Sequence, residues 1–121
     1  MLQPLCYNTV AMISFADFTK LDIRVGKIIR VEELPNPQYA THHLTIDFGA
    51  QVGTKISCAR VRNYSKDQLI GKLIVGVVNL PPKQIGKVTS EALILGTPDR
   101  NGDCVLIAPD SLEAVIGEKV Y

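Results

Sequence analysis

Apolar and polar residues along this chain alternate mostly with a period of two, in short runs separated by glycine and proline. In 23–31 the odd positions Ile23, Val25, Ile29 and Val31 are apolar, while Arg24, Arg30 and then Glu32 take the other face. That is the pattern of a half-buried strand. Gly26-Lys27 interrupts it and Ile28 falls on the wrong side, so a bulge or a coiled strand is expected there. His43 to Phe48 alternates cleanly, with Leu44, Ile46 and Phe48 against His43, Thr45 and Asp47. Lys55 to Val61 reads as a third strand. Leu73 to Leu80 is apolar on both faces and is expected to be covered on both sides. Glu91–Leu95 and Cys104–Ala108 read as further strands joined by the turn-forming run 98–102, and 117–121 as a short terminal strand.

Two helix starts interrupt this β pattern. Ser14 can cap a short helix over 15–20, which would place Phe15 and Phe18 on one side. Ser65 can cap a second over 66–70, ended by Gly71. Proline pairs mark loops at 34–38 and 81–82. Five to seven short strands, with a helix between the third and fourth, predict an all-β fold: a small, nearly closed barrel. We expect an arm over 1–13 and one domain over 14–121, as 121 residues suit a single core.

Composition narrows the chemistry. Cys6, Cys58 and Cys104 are odd in number and lack C-x-x-C spacing, so free thiols are expected rather than a disulfide framework or zinc site. No apolar run approaches the roughly 20 residues of a membrane span, and 1–12 lacks a leader pattern, so the expected location is cytoplasmic. Adjacent strand residues point to opposite faces, which makes His42-His43 a poor chelating pair; neither a metal nor a cofactor is expected. No nucleophile–base spacing, G-x-S-x-G or phosphate-loop motif occurs, which argues against an enzyme. The net charge is +1, but it is unevenly spread. Residues 55–87 carry seven basic groups against Asp67 alone, whereas 88–121 carry two against six carboxylates. Such a basic middle can attract a polyanion.

Two motifs are more specific. Leu21-Asp22-Ile23-Arg24-Val25-Gly26-Lys27-Ile28 resembles the opening strand of the tRNA-binding domain family. Asn79-Leu80-Pro81-Pro82-Lys83-Gln84-Ile85-Gly86 followed by Ser90-Glu91-Ala92-Leu93 resembles its second signature. The 39–44 segment and the Pro-Pro-Lys-Gln-Ile-Gly run are similar to the CsaA subgroup. The resemblance covers 14–121. It implies an OB-fold five-stranded Greek-key barrel with short helices and extra terminal strands, acting as a homodimer without catalysis. It also implies two ligand classes, tRNA-like RNA and unfolded or precursor polypeptides bound by an export-related chaperone. A third reading is a module that docks on an aminoacyl-tRNA synthetase or export component.

For RNA, Arg24, Lys55, Arg60, Arg62, Lys83 and Lys87 can supply cations to phosphates. The family's Ser-x-x-Met contact segment matches Ser90 and Leu93, and a family lysine matches His43. Both substitutions, together with few aromatics and no Trp, weaken the case for RNA. For polypeptide, Leu34, Tyr39, Pro81, Pro82, Ile85 and Leu93 can line an apolar groove. Apolar surface on 73–80, the Phe15/Phe18 helix and 108–115 exceeds what one small barrel readily hides, which predicts a twofold dimer.

Overall fold

The computed structural model describes residues 11–34 and 41–121. The expected 1–13 arm and the Tyr39 position fall wholly or mainly outside them. Helix α1 spans Phe15–Thr19 and begins in a reciprocal cap. Ser14 Oγ accepts from the Asp17 amide at 3.1 Å, and Asp17 Oδ2 accepts from the Ser14 amide at 3.2 Å. The strands are β1 (Ile23–Glu33), β2 (His42–Asp47), β3 (Thr54–Ala59), β4 (Leu73–Val77) and β5 (Lys83–Ile85). They continue with β6 (Val88–Ser90), β7 (Leu93–Ile94), β8 (Gly96–Pro98) and β9 (Cys104–Leu106). Helix α2 (Gly49–Val52) bridges β2 and β3, and α3 (Lys66–Leu69) bridges β3 and β4 behind a Ser65–Gln68 capping box.

The sheet order is β3-β2-β1-β4-β7, all antiparallel. β1 is long enough to serve two neighbours: 23–27 pair with β4 and 27–33 with β2. This strand switch, with a helix between β3 and β4, gives the nearly closed OB-type barrel. The expected irregularity in β1 is a register shift between Ile28 and Arg30. It corrects the simple alternation, because Ile28 is fully buried and Ile29 is the exposed residue. The bulge resets the phase, so Ile28 and Val31 both point inward.

Ile28, Val31, Leu44, Ile46, Phe48, Val61, Leu69 and Ile74 fill the barrel. Gly26 faces this core so closely that a Cβ would lie 2.6 Å from Ile46 Cγ2 and 2.7 Å from Phe48 Cε1. Ile23, Val25, Val75 and Val77 form a second cluster on the outer face, packed by Phe18, Leu95, Ala114 and Val120. Much of the two-sided apolarity of β4 is therefore covered within the chain. Residues 117–120 run beside the start of β1: Val120 N–H donates to the Ile23 carbonyl and Gly117 N–H to the Val25 carbonyl. An Arg24–Lys119 bridge is what remains of the expected terminal strand.

Other differences are local. The fourth strand stops at Val77, and the run expected over 91–95 is divided between β7 and neighbouring turns. The β5–β6 hairpin was not anticipated. Gly86, at φ +62°, supplies the left-handed residue of its turn.

Candidate binding face at the barrel seam

The barrel closes where 90–92 meet the free edge of β3, and side chains make half of that closure. The Glu91 and Ala92 amides donate to the Ile56 carbonyl at 2.7 and 3.1 Å, which is ordinary strand-like pairing. In the other direction, the Ile56 amide donates to Glu91 Oε1 at 2.9 Å, and the Cys58 amide donates to Ser90 Oγ at 3.1 Å. Two side-chain oxygens thus occupy the places that backbone carbonyls of a continuous strand would fill.

A cleft of about 420 Å³ opens over this seam, lined chiefly by Cys58, Pro81, Lys83, Ile85, Ser90 and Leu93. Leu80, Glu91 and Ala92 complete it. Leu93 is 51% exposed there, unusual for leucine beside a well-packed core. Burial pushes the Cys58 thiol above its usual range, with partial opposition from the Ser90 hydroxyl. The thiol is held as a neutral group rather than a reactive thiolate.

His43 lies beside this face. Antiparallel pairing sets it opposite Glu32 on β1 and opposite Cys58 on β3, so Glu32, His43, Cys58 and the Ser90 seam form a lateral row. His43 Nδ1 is 4.0 Å from Glu32 Oε1 and has no hydrogen-bond partner among the described residues. His42 points inward instead and holds Thr41 Oγ1 at 2.8 Å, as strand alternation requires.

The fold thus brings together His43, Pro81, Lys83, Ile85, Ser90 and Leu93. Pro82 and Lys87 are exposed nearby, Lys87 at the tip of the β5–β6 hairpin. The other candidates are elsewhere. Lys55 is set opposite Ile46, on the inward phase of β3, rather than with Cys58. Arg60 and Arg62 border a second cleft with Gly102, Asp103 and Cys104. Burial raises the Cys104 thiol there as well. Arg62 Nε is 3.2 Å from Asp103 Oδ1, whereas no carboxylate pairs with Arg60 among the described residues. Arg24 is taken up by the fold: only 15% of its side chain is exposed, and it bonds Asp22, the Gly117 carbonyl and Gln51. Leu34 is half-buried at the end of β1 and does not line the cleft.

Sequence reasoning missed Glu91 and Cys58. For Cys58 a signal existed, because the β3 alternation sets it two residues from Ile56 on the same face. The Asp22–Arg24 pair was also legible, since residues i and i+2 of a strand share a face.

Comparisons with known proteins fit this architecture. A family model described as "Putative tRNA binding domain" matches residues 23–119. The chain is 37% identical to a methionine–tRNA ligase of Nanoarchaeum equitans over 90% of this chain and 14% of that protein. It is 34% identical to that of Porphyromonas gingivalis over 89% and 15%. The chain thus spans only a small part of these relatives, one module of a larger enzyme. Among solved structures, the CsaA chaperone of Picrophilus torridus is 43% identical, with a TM-score of 0.84 over 91% of this chain and all of that one. The Bacillus anthracis CsaA chaperone is 41% identical, with a TM-score of 0.79 over 92% of this chain and all of that one. By its matching family model and by these full-length likenesses to CsaA chaperones, the chain belongs to the tRNA-binding domain family.

Proposed function

We propose that this is a non-catalytic, homodimeric binding protein acting in the cytoplasm, and that the seam face receives RNA of tRNA-like shape. The observation that carries the RNA reading is the set of exposed cations near that face. Lys83 and Lys87 there, with Arg60 at the second cleft, are exposed and form no ion pair among the described residues, unlike Arg24 and Arg62. Unpaired cations on a curved surface meet phosphates without first losing a carboxylate partner. His43 and Leu93 extend the face toward bases and sugars.

A second reading is an unfolded or precursor polypeptide as ligand, with an export-related role. The exposed Leu93 and Leu80 of the cleft, with half-buried Ile85 beside them, favour it, because apolar surface rimmed by polar groups suits an unfolded chain. Dimerisation is supported by apolar surface that the chain leaves uncovered. Phe15, 75% exposed, and Tyr121 line a groove between α1 and 118–121, while Leu112 and Val115 are exposed on the neighbouring segment.

Titration with bulk tRNA and with a reduced, carboxymethylated polypeptide, each at two salt concentrations, separates the readings. RNA binding loses affinity steeply with salt; apolar peptide binding does not. Failure of both ligands to bind at micromolar protein overturns both, leaving a docking module for a synthetase or export component. A scattering mass near the 13.2 kDa of one chain overturns the dimer.

A further inference from the structure

The polypeptide reading gains a specific mode from the way the seam is built. The outer edge of β3 presents the Ile56 amide, the Ile56 carbonyl and the Cys58 amide, the spacing of groups that a neighbouring strand pairs with. The two amides are held by the Glu91 carboxylate and the Ser90 hydroxyl rather than by backbone. The Ile56 carbonyl is held by the Glu91 and Ala92 backbone amides, so opening the edge moves the short 90–92 segment together with these two side chains. The same two residues line the cleft, beside exposed Leu93 and next to Ile85 and Leu80.

We propose that the β3 edge is a strand-accepting site held shut by a Ser90–Glu91 latch, and that its occupant is an extended segment of unfolded polypeptide. In the bound state the 90–92 segment withdraws: peptide carbonyls replace Ser90 Oγ and Glu91 Oε1 on the Cys58 and Ile56 amides, and a peptide amide replaces those of Glu91 and Ala92 on the Ile56 carbonyl. Alternate side chains of the segment then fall into the apolar cleft, as the period of an extended chain requires. The other exposed edge nearby is a poor competitor: β5 is preceded by Pro81-Pro82, which supply no amide donors.

This inference rests on the polypeptide reading, and one experiment tests the two separately. Ser90→Cys is introduced with Cys6 and Cys104 replaced by Ser. The new thiol is placed to join Cys58 across the seam, since Ser90 Oγ already lies 3.1 Å from the Cys58 amide. The probe is a reduced, carboxymethylated polypeptide. The expected result is that the oxidised variant binds it about tenfold or more weakly than the same variant reduced. Equal polypeptide affinity in both forms overturns the latch while leaving apolar binding in the cleft intact. No polypeptide binding by the unaltered protein overturns the underlying reading, and the latch with it. Should the variant fold poorly, hydrogen exchange on the unaltered protein decides. Polypeptide must slow exchange at the Ile56 and Cys58 amides, and unchanged rates there during saturating binding overturn the latch.

Discussion

Arg24 Nε stands 2.6 Å from Asp22 Oδ1, two residues away just before β1 begins, and this pair sits beside the 117–120 segment at the start of the strand. The bond to Asp22 raises the Arg24 pKa still further, so the guanidinium is a permanent partner. Its remaining donors reach the Gly117 carbonyl and Gln51. Arg24→Ala is therefore expected to lower the thermal midpoint while leaving tRNA affinity unchanged. A selective loss of RNA binding at unchanged midpoint would return Arg24 to the ligand face.

The exposed cations should behave oppositely. Replacing Lys83, Lys87 and Arg60 together by Ala is expected to weaken tRNA binding and flatten its salt dependence. The loss should be about one unit of the log–log slope per phosphate contact. The melting curve should hardly move. Fluorescence titration across a salt series checks this.

Gly26 sits where β1 crosses the core at its tightest point. Gly26→Ala is expected to cost about 1–3 kcal/mol, because the new methyl must displace Ile46 or the Phe48 ring. Urea denaturation measures it, and a neutral result would mean that Phe48 has room to turn.

Ser90→Ala removes the acceptor of the Cys58 amide and should cost about 1–2 kcal/mol by the same measurement. If the family-matched serine acts only as an RNA contact, stability will be untouched and affinity alone will fall.

Acid acts on α1. The bond from the Ser14 amide, then Lys20 and the Ser14 hydroxyl, holds the Asp17 carboxyl below its usual range. A depressed value means that the cap's stabilisation is complete above the ordinary carboxylate range and is lost as pH falls through the lowered value. Amide shifts of 15–19 should therefore stay native to about pH 4 and change only below it.

Much of this molecule was legible in its residues, and the exceptions have identifiable causes. The 43–48 alternation and the Ser14 and Ser65 caps survive intact, because each is decided by neighbours a few positions away. Ile28 and Ile29 exchanged roles because a bulge shifts phase, and either isoleucine satisfies the pattern until a partner strand fixes the register. Lys83, Ser90 and Leu93 were drawn together by motif. That Ser90 binds the Cys58 amide, 32 residues back, could not be read from spacing. Arg24 was counted as a surface cation because the carbonyl that absorbs it belongs to Gly117, 93 positions away.

That long reach has a consequence for biosynthesis. The first half of β1 gains a neighbour on its second edge only when 117–120 arrive beside Ile23 and Val25. On a translating ribosome, nearly everything else in the barrel emerges before that edge is satisfied. The nascent chain must wait with the start of its first strand half-paired, and that edge is completed only after the residues of the 90–92 seam have already emerged.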